Sequence, residues 1–410
     1  MSEAPYAKEN DKTDTATNLG KGTPRILLFH PVMWSHYKGV VFSSLFEQCS
    51  AANLSLYVVQ VSYTEWERAM LGRVDSSIHQ YPHEVLFDDP YDRVSLPRRL
   101  YRVLWVVMAQ RWDIIVLPGY YEPAMWAAAI VGKARGAKII IESDSTYHDH
   151  ERWGPREWLK SLLVKMCDLA LCYGMRARTY IVSLGMPVER TVLRCQATDN
   201  QTIKQIHAEF SARRDDFARE VGVGKRNFIF VGRLSPEKNV ATLIAAFARI
   251  AARVDGWGLI IVGAGPARAA LESAVPPELK TRVTFHGGKG WREVPKYFAV
   301  ADVLVLPSLS EPWGLVVNEG LICGLPVLVS DRCGCLPEIV IEGQTGFSFD
   351  PDSIDQLAQL MEDLAKDDRT RERISGCAAE VAARYTPERS AIEMRNGFLK
   401  LLPSVDGNAG

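Results

Sequence analysis

Hydrophobic and polar positions along the chain define short apolar runs separated by stretches with helical spacing. The first run, RILLFHPV at residues 25–32, is continuous enough for a strand that is buried on both faces of a parallel sheet. Similar runs follow in two groups, at 54–61, 113–117, 137–141 and 168–172, and then at 227–232, 258–263, 282–287, 301–307 and 325–330. Alternating strands and helices predict right-handed crossovers, parallel sheets and an α/β fold.

The two groups of strands predict two facing, doubly wound, Rossmann-like domains with a cleft between them. Ligands of such domains bind at the carboxyl ends of the strands, so we expect the site in that cleft. The predicted organisation is a disordered leader at 1–23, a first Rossmann-like domain at 24–200, a linker or solvated helix at 201–222, a second such domain at 223–386, and a C-terminal packing helix at 387–404 that could return to the N-terminal domain.

The net charge and the spacing of the cysteines exclude some classes of function. The 410 residues contain 48 basic and 49 acidic side chains, so the net charge is −1 and a nucleic-acid partner is not expected. The eight cysteines lack the paired spacing of a zinc site, which predicts reduced thiols and no metal. Neither a secretory signal nor an apolar run of about 18 residues is present, so we expect a cytoplasmic protein.

The strongest chemical signal is SLSEPWGLVVNEG at residues 308–320, directly after an apolar run. We expect a helix to start near Pro312, with free N–H groups that favour an anion such as a diphosphate. Glu311 and Glu319 would then lie on either side of it, the first able to accept hydrogen bonds from a sugar and the second from a ribose. The predicted donors are the N–H groups of Gly314, Leu315 and Val316.

A second signal, FVGRLSPEKN, follows the apolar run at 227–232. Arg233 and Lys238 could converge on one anion, because Arg offers a planar fork and Lys a mobile point charge. The two side chains would then stabilise the negative charge that develops on a departing diphosphate. A third segment, the glycine-rich turn at 262–266, does not match the G-x-G-x-x-G fingerprint of dinucleotide-binding proteins, since Arg268 stands at the third glycine position.

Together these segments resemble the C-terminal half of the family 4 retaining glycosyltransferases, which have two facing doubly wound domains in the GT-B arrangement. The similarity covers most of residues 227–350. The resemblance implies that Arg233 and Lys238 bind the donor diphosphate, and that Glu311 contacts the donor sugar and Glu319 the ribose. The residues expected at the donor site are Arg233, Lys238 and Glu311 as catalytic groups, with Gly232, Gly263, Gly265, Gly314, Leu315, Val316 and Glu319 as donor-binding groups. The family usually needs no metal or other cofactor and uses uridine-, guanosine- or adenosine-diphosphate sugars.

The N-terminal half fits the family pattern less closely. Many members have a glycine-rich loop after the first strand, whereas here Lys38 precedes a single glycine, Gly39. Many also have a histidine after the strand at 137–141, where this chain has Glu-Ser-Asp144-Ser145. That stretch is similar to a segment of members that build bacterial surface polysaccharides. We therefore expect these four residues on the acceptor side, and we expect His148 and His150 in a solvent-facing loop.

Residues 94–112 and 156–166 are basic and aromatic, with Trp105 and Trp158 among arginines and lysines. Such helices can lie in a membrane interface, which would suit a lipid-linked acceptor at the inner face of the membrane. The same pattern also fits a core-facing stripe with arginines extending to solvent.

The sequence therefore predicts a retaining hexosyltransferase that moves a sugar from a nucleoside-diphosphate sugar to a hydroxyl of a glycan or lipid-linked intermediate of surface polysaccharide synthesis. A covalent double displacement is the second mechanism considered. The alternatives are a nucleotide-sugar hydrolase or epimerase on the same scaffold, and a non-catalytic protein that binds sugar nucleotides.

Overall fold

The computed structural model describes residues 22–66, 74–149 and 154–403. Most of the predicted leader, residues 1–21, and His150 lie outside these ranges. Among the described residues the chain forms two parallel sheets, of seven and six strands, in separate halves of the sequence. The predicted α/β class with two Rossmann-like domains is confirmed.

The first domain is built on seven strands in the order β3-β2-β1-β4-β5-β6-β7. The strands are β1 (Arg25–Val32), β2 (Ser55–Ser62), β3 (His83–Phe87), β4 (Ile114–Leu117), β5 (Lys138–Ser143), β6 (Leu169–Tyr173) and β7 (Thr191–Arg194). The helices between them are α1 (His36–Ala51), α2 (Leu96–Ala109), α3 (Pro123–Ala134), α4 (Gly154–Met166) and α5 (Gly174–Ser183). The strand order reverses between β1 and β4, where Leu28 pairs with Val58 on one side and Val116 on the other.

The second domain has the strand order β10-β9-β8-β11-β12-β13. Its elements are α6 (Asn200–Ser211), α7 (Arg214–Val221), β8 (Arg226–Val231), α8 (Val240–Ile250), β9 (Trp257–Val262), α9 (Arg268–Ala274), β10 (Val283–Phe285), α10 (Val294–Phe298), β11 (Val303–Leu306), α11 (Leu315–Ile322), β12 (Val327–Ser330), β13 (Gly346–Phe349), α12 (Ile354–Lys366) and α13 (Asp368–Ala382). A last helix, α14 (Pro387–Leu399), follows. This sheet reverses between β8 and β11, so each domain presents a switch point at the carboxyl ends of its strands.

Apolar side chains fill three layers. In the first domain one core lies between the sheet and α2 to α5, and the other lies between the sheet and α1. The last helix α14 joins that second core through Ala391, Met394 and Phe398, so the chain returns to the N-terminal domain after completing the C-terminal one. The third core fills the C-terminal domain.

The segment 201–222, expected as a linker or solvated helix, forms the helices α6 and α7. Phe210 and Phe217 are buried in the core of the C-terminal domain and pack edge to face, with their centroids 4.9 Å apart. Most of the charged residues between them face water, whereas Arg214 forms an ion pair with Asp302 over 2.9 Å. It is therefore part of the second domain's packing.

Candidate functional site

The loop between β11 and α11 brings the two predicted carboxylates to one wall of the cleft. Helix α11 starts at Leu315, three residues later than expected from Pro312, and Gly314 is its N-cap with φ of +91°. A side chain there would be strained, and a Cβ would lie 2.9 Å from Leu306. Val317 donates the first backbone bond of the turn to Gly314 O, so the N–H groups of Leu315 and Val316 lie ahead of the helical ladder.

Lys238 and Glu311 meet on this wall. Lys238 ends a short 3₁₀ turn after β8, and its ammonium group pairs with Glu311 Oε2. The Ser308 hydroxyl donates to the same oxygen over 3.4 Å. Both charged side chains are partly buried and partly open to the cleft. The two charges satisfy each other.

Arg233 has a different partner. Its guanidinium donates to Glu237 over 2.6 Å, and more than half of its side chain is exposed. Burial would raise the pKa of Glu237, but hydrogen bonds from Ser235 and the charge of Arg233 lower it. The structure thus places Lys238 beside Glu311 and holds Arg233 at the outer rim.

Three of the four glycines predicted to bind the donor, Gly232, Gly263 and Gly265, pack two loops closely. A Cβ at Gly263 would lie 1.9 Å from Gly232 O, and one at Gly265 would lie 2.3 Å from Leu234 O. Backbone bonds join the same loops, from Gly232 to Val262 O and from Leu234 to Ala264 O. These glycines allow the loops after β8 and β9 to touch, which shapes the wall around Lys238.

Glu319 faces the other domain. His36, at the start of α1, has its Nε2 atom 3.9 Å from Glu319 Oε1, and its ring stacks on Trp291 with 5.1 Å between centroids. The adjacent Arg292 forms an ion pair with Asp75 over 3.1 Å. The cleft is therefore closed on this side by contacts between the two domains.

The opposite rim is also closed. The guanidinium of Arg176 donates to the carbonyl of Cys333 over 2.9 Å, and Glu338 accepts from the backbone of Met175. Asn318, whose Oδ1 accepts from the buried Trp313 indole, donates to Gln196 O over 3.0 Å. The geometry of the Glu311 loop thus depends on contacts with both domains.

The N-terminal wall contains a buried charged cluster of Lys38, Glu142, Tyr173 and Arg194. Lys38 donates to Glu142 Oε2 over 3.3 Å and to the Tyr173 hydroxyl, and Arg194 pairs with Glu142 Oε1. Burial lowers the pKa of Lys38 to about 8, although the negative charge of Glu142 acts to raise it. Burial alone would raise the pKa of Glu142, but Lys38 and Arg194 lower it to about 2. Lys38 therefore points into the protein, where its charge is already paired.

The other residues expected on the acceptor side lie close to this cluster. Gly39 lets α1 approach the turn at 76–78, since a Cβ would lie 2.8 Å from Ile78. Asp144 lies directly after β5. It is exposed to solvent, but surrounding protein atoms partly desolvate its carboxylate. This desolvation raises its pKa, and the charge of Lys38 opposes the shift. Ser145 is buried and lies 3.3 Å from the Tyr121 hydroxyl. His148 is exposed.

Comparisons with known proteins bear on this geometry. Residues 212–380 match the family model described as glycosyl transferases group 1. The chain is 31% identical over 271 residues to the alpha-D-kanosaminyltransferase of Streptomyces kanamyceticus, covering 65% of this chain and 69% of that protein. The chain belongs to the group 1 glycosyltransferases.

Other relatives and structures agree. This glycosyltransferase is 34% identical over 165 residues to the GDP-mannose-dependent alpha-(1-6)-phosphatidylinositol monomannoside mannosyltransferase of Mycobacterium tuberculosis, covering 38% of this chain and 43% of that protein. It superposes on Anabaena HepE in complex with UDP and glucose with a TM-score of 0.70, at 18% identity, over 92% of this chain and 100% of that one. Sucrose-phosphate synthase from Thermosynechococcus elongatus gives 0.70 at 19% identity, over 92% and 99%. At this identity the structures show the shared fold.

Sequence reasoning missed several residues of this glycosyltransferase's cleft. His36 and Trp291 meet across it although they are far apart in sequence, and neither belongs to a motif. The Lys38 cluster was missed because Glu142, Tyr173 and Arg194 come together only through the pairing of β5, β6 and β7. A charged residue at the end of an apolar strand was the available signal for Glu142 and Arg194.

Proposed function

We propose that this glycosyltransferase moves a hexose from a nucleoside-diphosphate sugar, with retention of anomeric configuration, to a hydroxyl of a glycan or lipid-linked acceptor in surface polysaccharide synthesis. The observation that carries the proposal is the wall on which Lys238, Glu311, the start of α11 and Glu319 lie together, facing the Asp144 loop. The mannosyltransferase relative is named for GDP-mannose, and HepE was solved with UDP and glucose. Those names support a nucleotide-sugar donor here.

In the proposed complex the donor diphosphate lies at the start of α11. The N–H groups of Leu315 and Val316 and the helix dipole favour the anion there. Lys238 then turns from Glu311 to the diphosphate, and Glu311 becomes free to accept hydrogen bonds from the sugar. Glu319 accepts from the ribose hydroxyls, which requires His36 to move aside.

The chemical step follows from this placement. The acceptor hydroxyl attacks the anomeric carbon from the face that the diphosphate leaves, the new C–O bond forms as the bond to the diphosphate oxygen breaks, and a phosphate oxygen takes the acceptor proton. Lys238, joined by Arg233 after it leaves Glu237, stabilises the departing charge. We propose that no metal is needed. Within the described ranges, no three His, Cys, Asp or Glu side chains are grouped so that they could hold a metal ion.

We also propose that the enzyme works at the cytoplasmic face of a membrane. Helices α2 and α4 pack on the same side of the first sheet, and their outer faces expose Trp105, Met108, Trp158 and Leu159. Arg98 and Arg102 border this surface, which suits anionic headgroups. No helix in the described part of the chain has the length and hydropathy to cross a membrane.

Vesicle co-sedimentation tests the membrane proposal. Wild-type protein should bind vesicles of anionic phosphatidylglycerol better than vesicles of phosphatidylcholine, and Trp105→Ala with Trp158→Ala should lose most of that binding. Ile392→Ala, which removes an exposed apolar side chain from α14, is the matched control. Equal binding by the double variant would show that this face does not contact lipid.

Calorimetric titration with UDP, GDP and ADP tests the donor site. One nucleotide should bind, and Glu319→Ala and Lys238→Ala should each weaken it by about 10- to 100-fold, because each removes a charged hydrogen-bond partner. Glu220→Ala, on the exposed side of α7, should change nothing. If no nucleotide binds, the donor-site assignment is wrong.

Product analysis separates transfer from the alternatives. Proton NMR of the first glycoside formed from the donor sugar should show the donor's anomeric configuration if the mechanism is retaining. A hydrolase would release sugar at the same rate with or without acceptors, an epimerase would return a changed nucleotide sugar, and a non-catalytic protein would leave the donor intact.

A further inference from the structure

Two tyrosine rings are exposed on the N-terminal wall, in loops that follow neighbouring strands. Tyr121 follows β4 and Tyr147 follows β5, and they are 58% and 49% exposed. The carboxyl ends of these paired strands share one edge of the sheet, so the loops adjoin, and the Tyr121 hydroxyl lies 3.3 Å from Ser145 Oγ. Large aromatic surface left open at a cleft marks a binding site more often than an isolated exposed side chain does.

Buried and partly buried groups contact both rings. Tyr147 packs edge-on against the buried Tyr180, with 5.4 Å between ring centroids. Lys160 donates to the Tyr180 hydroxyl over 3.1 Å and lies 5.4 Å from the centroid of the Tyr121 ring. Glu157 accepts from Lys160 over 2.8 Å and completes the support. The rings are therefore positioned before any ligand arrives, which lowers the entropic cost of binding.

The tyrosines lie beside the donor wall. The Ser310 hydroxyl donates to the carbonyl of Asp149 over 3.0 Å, so the loop that contains Tyr147 touches the loop that contains Glu311. Asp144 and Ser145 belong to the same N-terminal loop and offer a carboxylate and a hydroxyl. A molecule covering the tyrosines would therefore meet polar groups at its edge and the donor sugar ahead of it.

We propose that Tyr121 and Tyr147 form a platform that stacks on the apolar face of an acceptor pyranose ring, while Ser145 and Asp144 bind its hydroxyls. The negative face of an aromatic ring attracts the C–H bonds of that face, and the hydroxyls around a sugar's rim need the polar groups found here. An acyl chain would leave those polar groups unpaired. The inference rests on the proposed transferase function and assigns the acceptor end as a saccharide.

Saturation-transfer NMR of the full chain with methyl α- and β-glycosides of glucose, galactose and mannose tests the platform. At least one glycoside should receive saturation, strongest at its ring C–H protons. Tyr121→Ala and Tyr147→Ala should raise its Kd by roughly three- to tenfold, since each removes one aromatic contact. Tyr121→Phe and Tyr147→Phe keep the rings and should bind almost as wild type. Tyr101→Ala removes a ring that is 69% exposed on α2, away from the cleft, and should have no effect.

Two outcomes overturn the platform: no glycoside receives saturation from the wild type, or the alanine variants bind as tightly as Tyr101→Ala. Nucleotide titration of the same samples keeps this separate from the donor site. Nucleotide binding without glycoside binding refutes the platform and leaves the donor site standing. Glycoside binding that depends on the tyrosines, without nucleotide binding, supports the platform and refutes the donor site.

Discussion

The two walls of the cleft hold their charged side chains in different ways. On the C-terminal wall, Lys238 and Glu311 form one pair that is still partly open to water. On the N-terminal wall, Lys38, Glu142 and Arg194 are almost entirely enclosed, and Arg194 also donates to Ser390 of α14 over 3.0 Å. A partly solvated pair can exchange its partner for a ligand, whereas a buried cluster cannot lose a member cheaply. The pair on the first wall can therefore open, whereas the buried cluster on the second wall helps to hold its domain together.

The largest effect that tests this comparison is expected from Glu311→Gln. The substitution keeps the shape of the side chain but removes the charge that pairs with Lys238, so the donor sugar loses a charged acceptor. Sugar release from the bound donor should slow by about 100- to 1,000-fold. The free energy of unfolding should barely change, because the pair is partly solvated. Steady-state nucleotide release at saturating donor measures the rate, with Glu220→Gln as control. A loss of less than threefold would mean that Glu311 does not contact the reacting sugar.

On the other wall, Lys38→Met should act on stability. It leaves Glu142 buried with Arg194 as its remaining cationic partner, and breaking a buried ion pair in this way costs about 3 kcal/mol of unfolding free energy. Nucleotide binding to the C-terminal wall should be unchanged. Urea unfolding measures the difference, with the exposed Lys165→Met as matched control.

Adding Glu142→Leu to Lys38→Met sharpens the result, since it removes the unpaired carboxylate and should restore part of the stability. If Lys38→Met instead unfolds like the wild type and loses only acceptor binding, Lys38 would be a substrate contact as the sequence suggested.

The pattern of apolar residues explains which strands could be predicted from the sequence. The strands at 25–32 and 227–232 were found because each is a continuous apolar run between polar segments. Strands β3, β7 and β13 were missed because polar side chains such as His83, Arg194 and Ser348 interrupt their apolar pattern. Their strand conformation depends on a neighbour in the sheet, which no local pattern records.

For the candidate site, the separation of two residues along the chain determines whether their proximity could be predicted. Glu311 and Glu319 lie in one loop and helix, and Arg233 and Lys238 lie in one turn, so their spacing carries the prediction. Glu142 and Arg194 are 52 residues apart and meet through the strand order. The tyrosines of the proposed platform also lie in separate loops. Local sequence predicts a wall made from one segment, and only the fold reveals a wall made from several.

A smaller effect on the free energy of unfolding is expected when the pH is lowered, because of His30 on the N-terminal wall. Burial and, to a smaller extent, the charge of Lys38 lower the pKa of His30 to about 3, against the opposing charge of Glu142. The unfolded chain takes up a proton below about pH 6.5. The neutral buried form therefore stabilises the fold fully above pH 6.5, and this stability is lost as the pH falls towards 3.

His30→Asn tests this linkage. The imidazole Nδ1 atom lies 3.0 Å from Val32 O and 3.1 Å from Gln60 Oε1, and an asparagine amide could donate in its place. Between pH 6 and 4 the variant should lose about 1.4 kcal/mol less stability per pH unit than the wild type, the slope for one proton. Urea unfolding across this range measures it, and His148→Asn, at an exposed position, is the control. Parallel curves for wild type and His30→Asn would assign the acid sensitivity to other groups.

The smallest expected effect concerns the contact between the walls. Asp75 and Arg292 pair over 3.1 Å, but the Arg292 side chain is about half exposed, so water and salt screen the attraction. In a double-mutant cycle of Asp75→Ala and Arg292→Ala, we expect a coupling free energy below about 1 kcal/mol that shrinks further in molar salt. A coupling of several kcal/mol that is insensitive to salt would show that this rim is held as rigidly as the buried cluster. A weak coupling fits a cleft whose exposed rim can open, with the strongly coupled charges of the Lys38 cluster kept inside one domain.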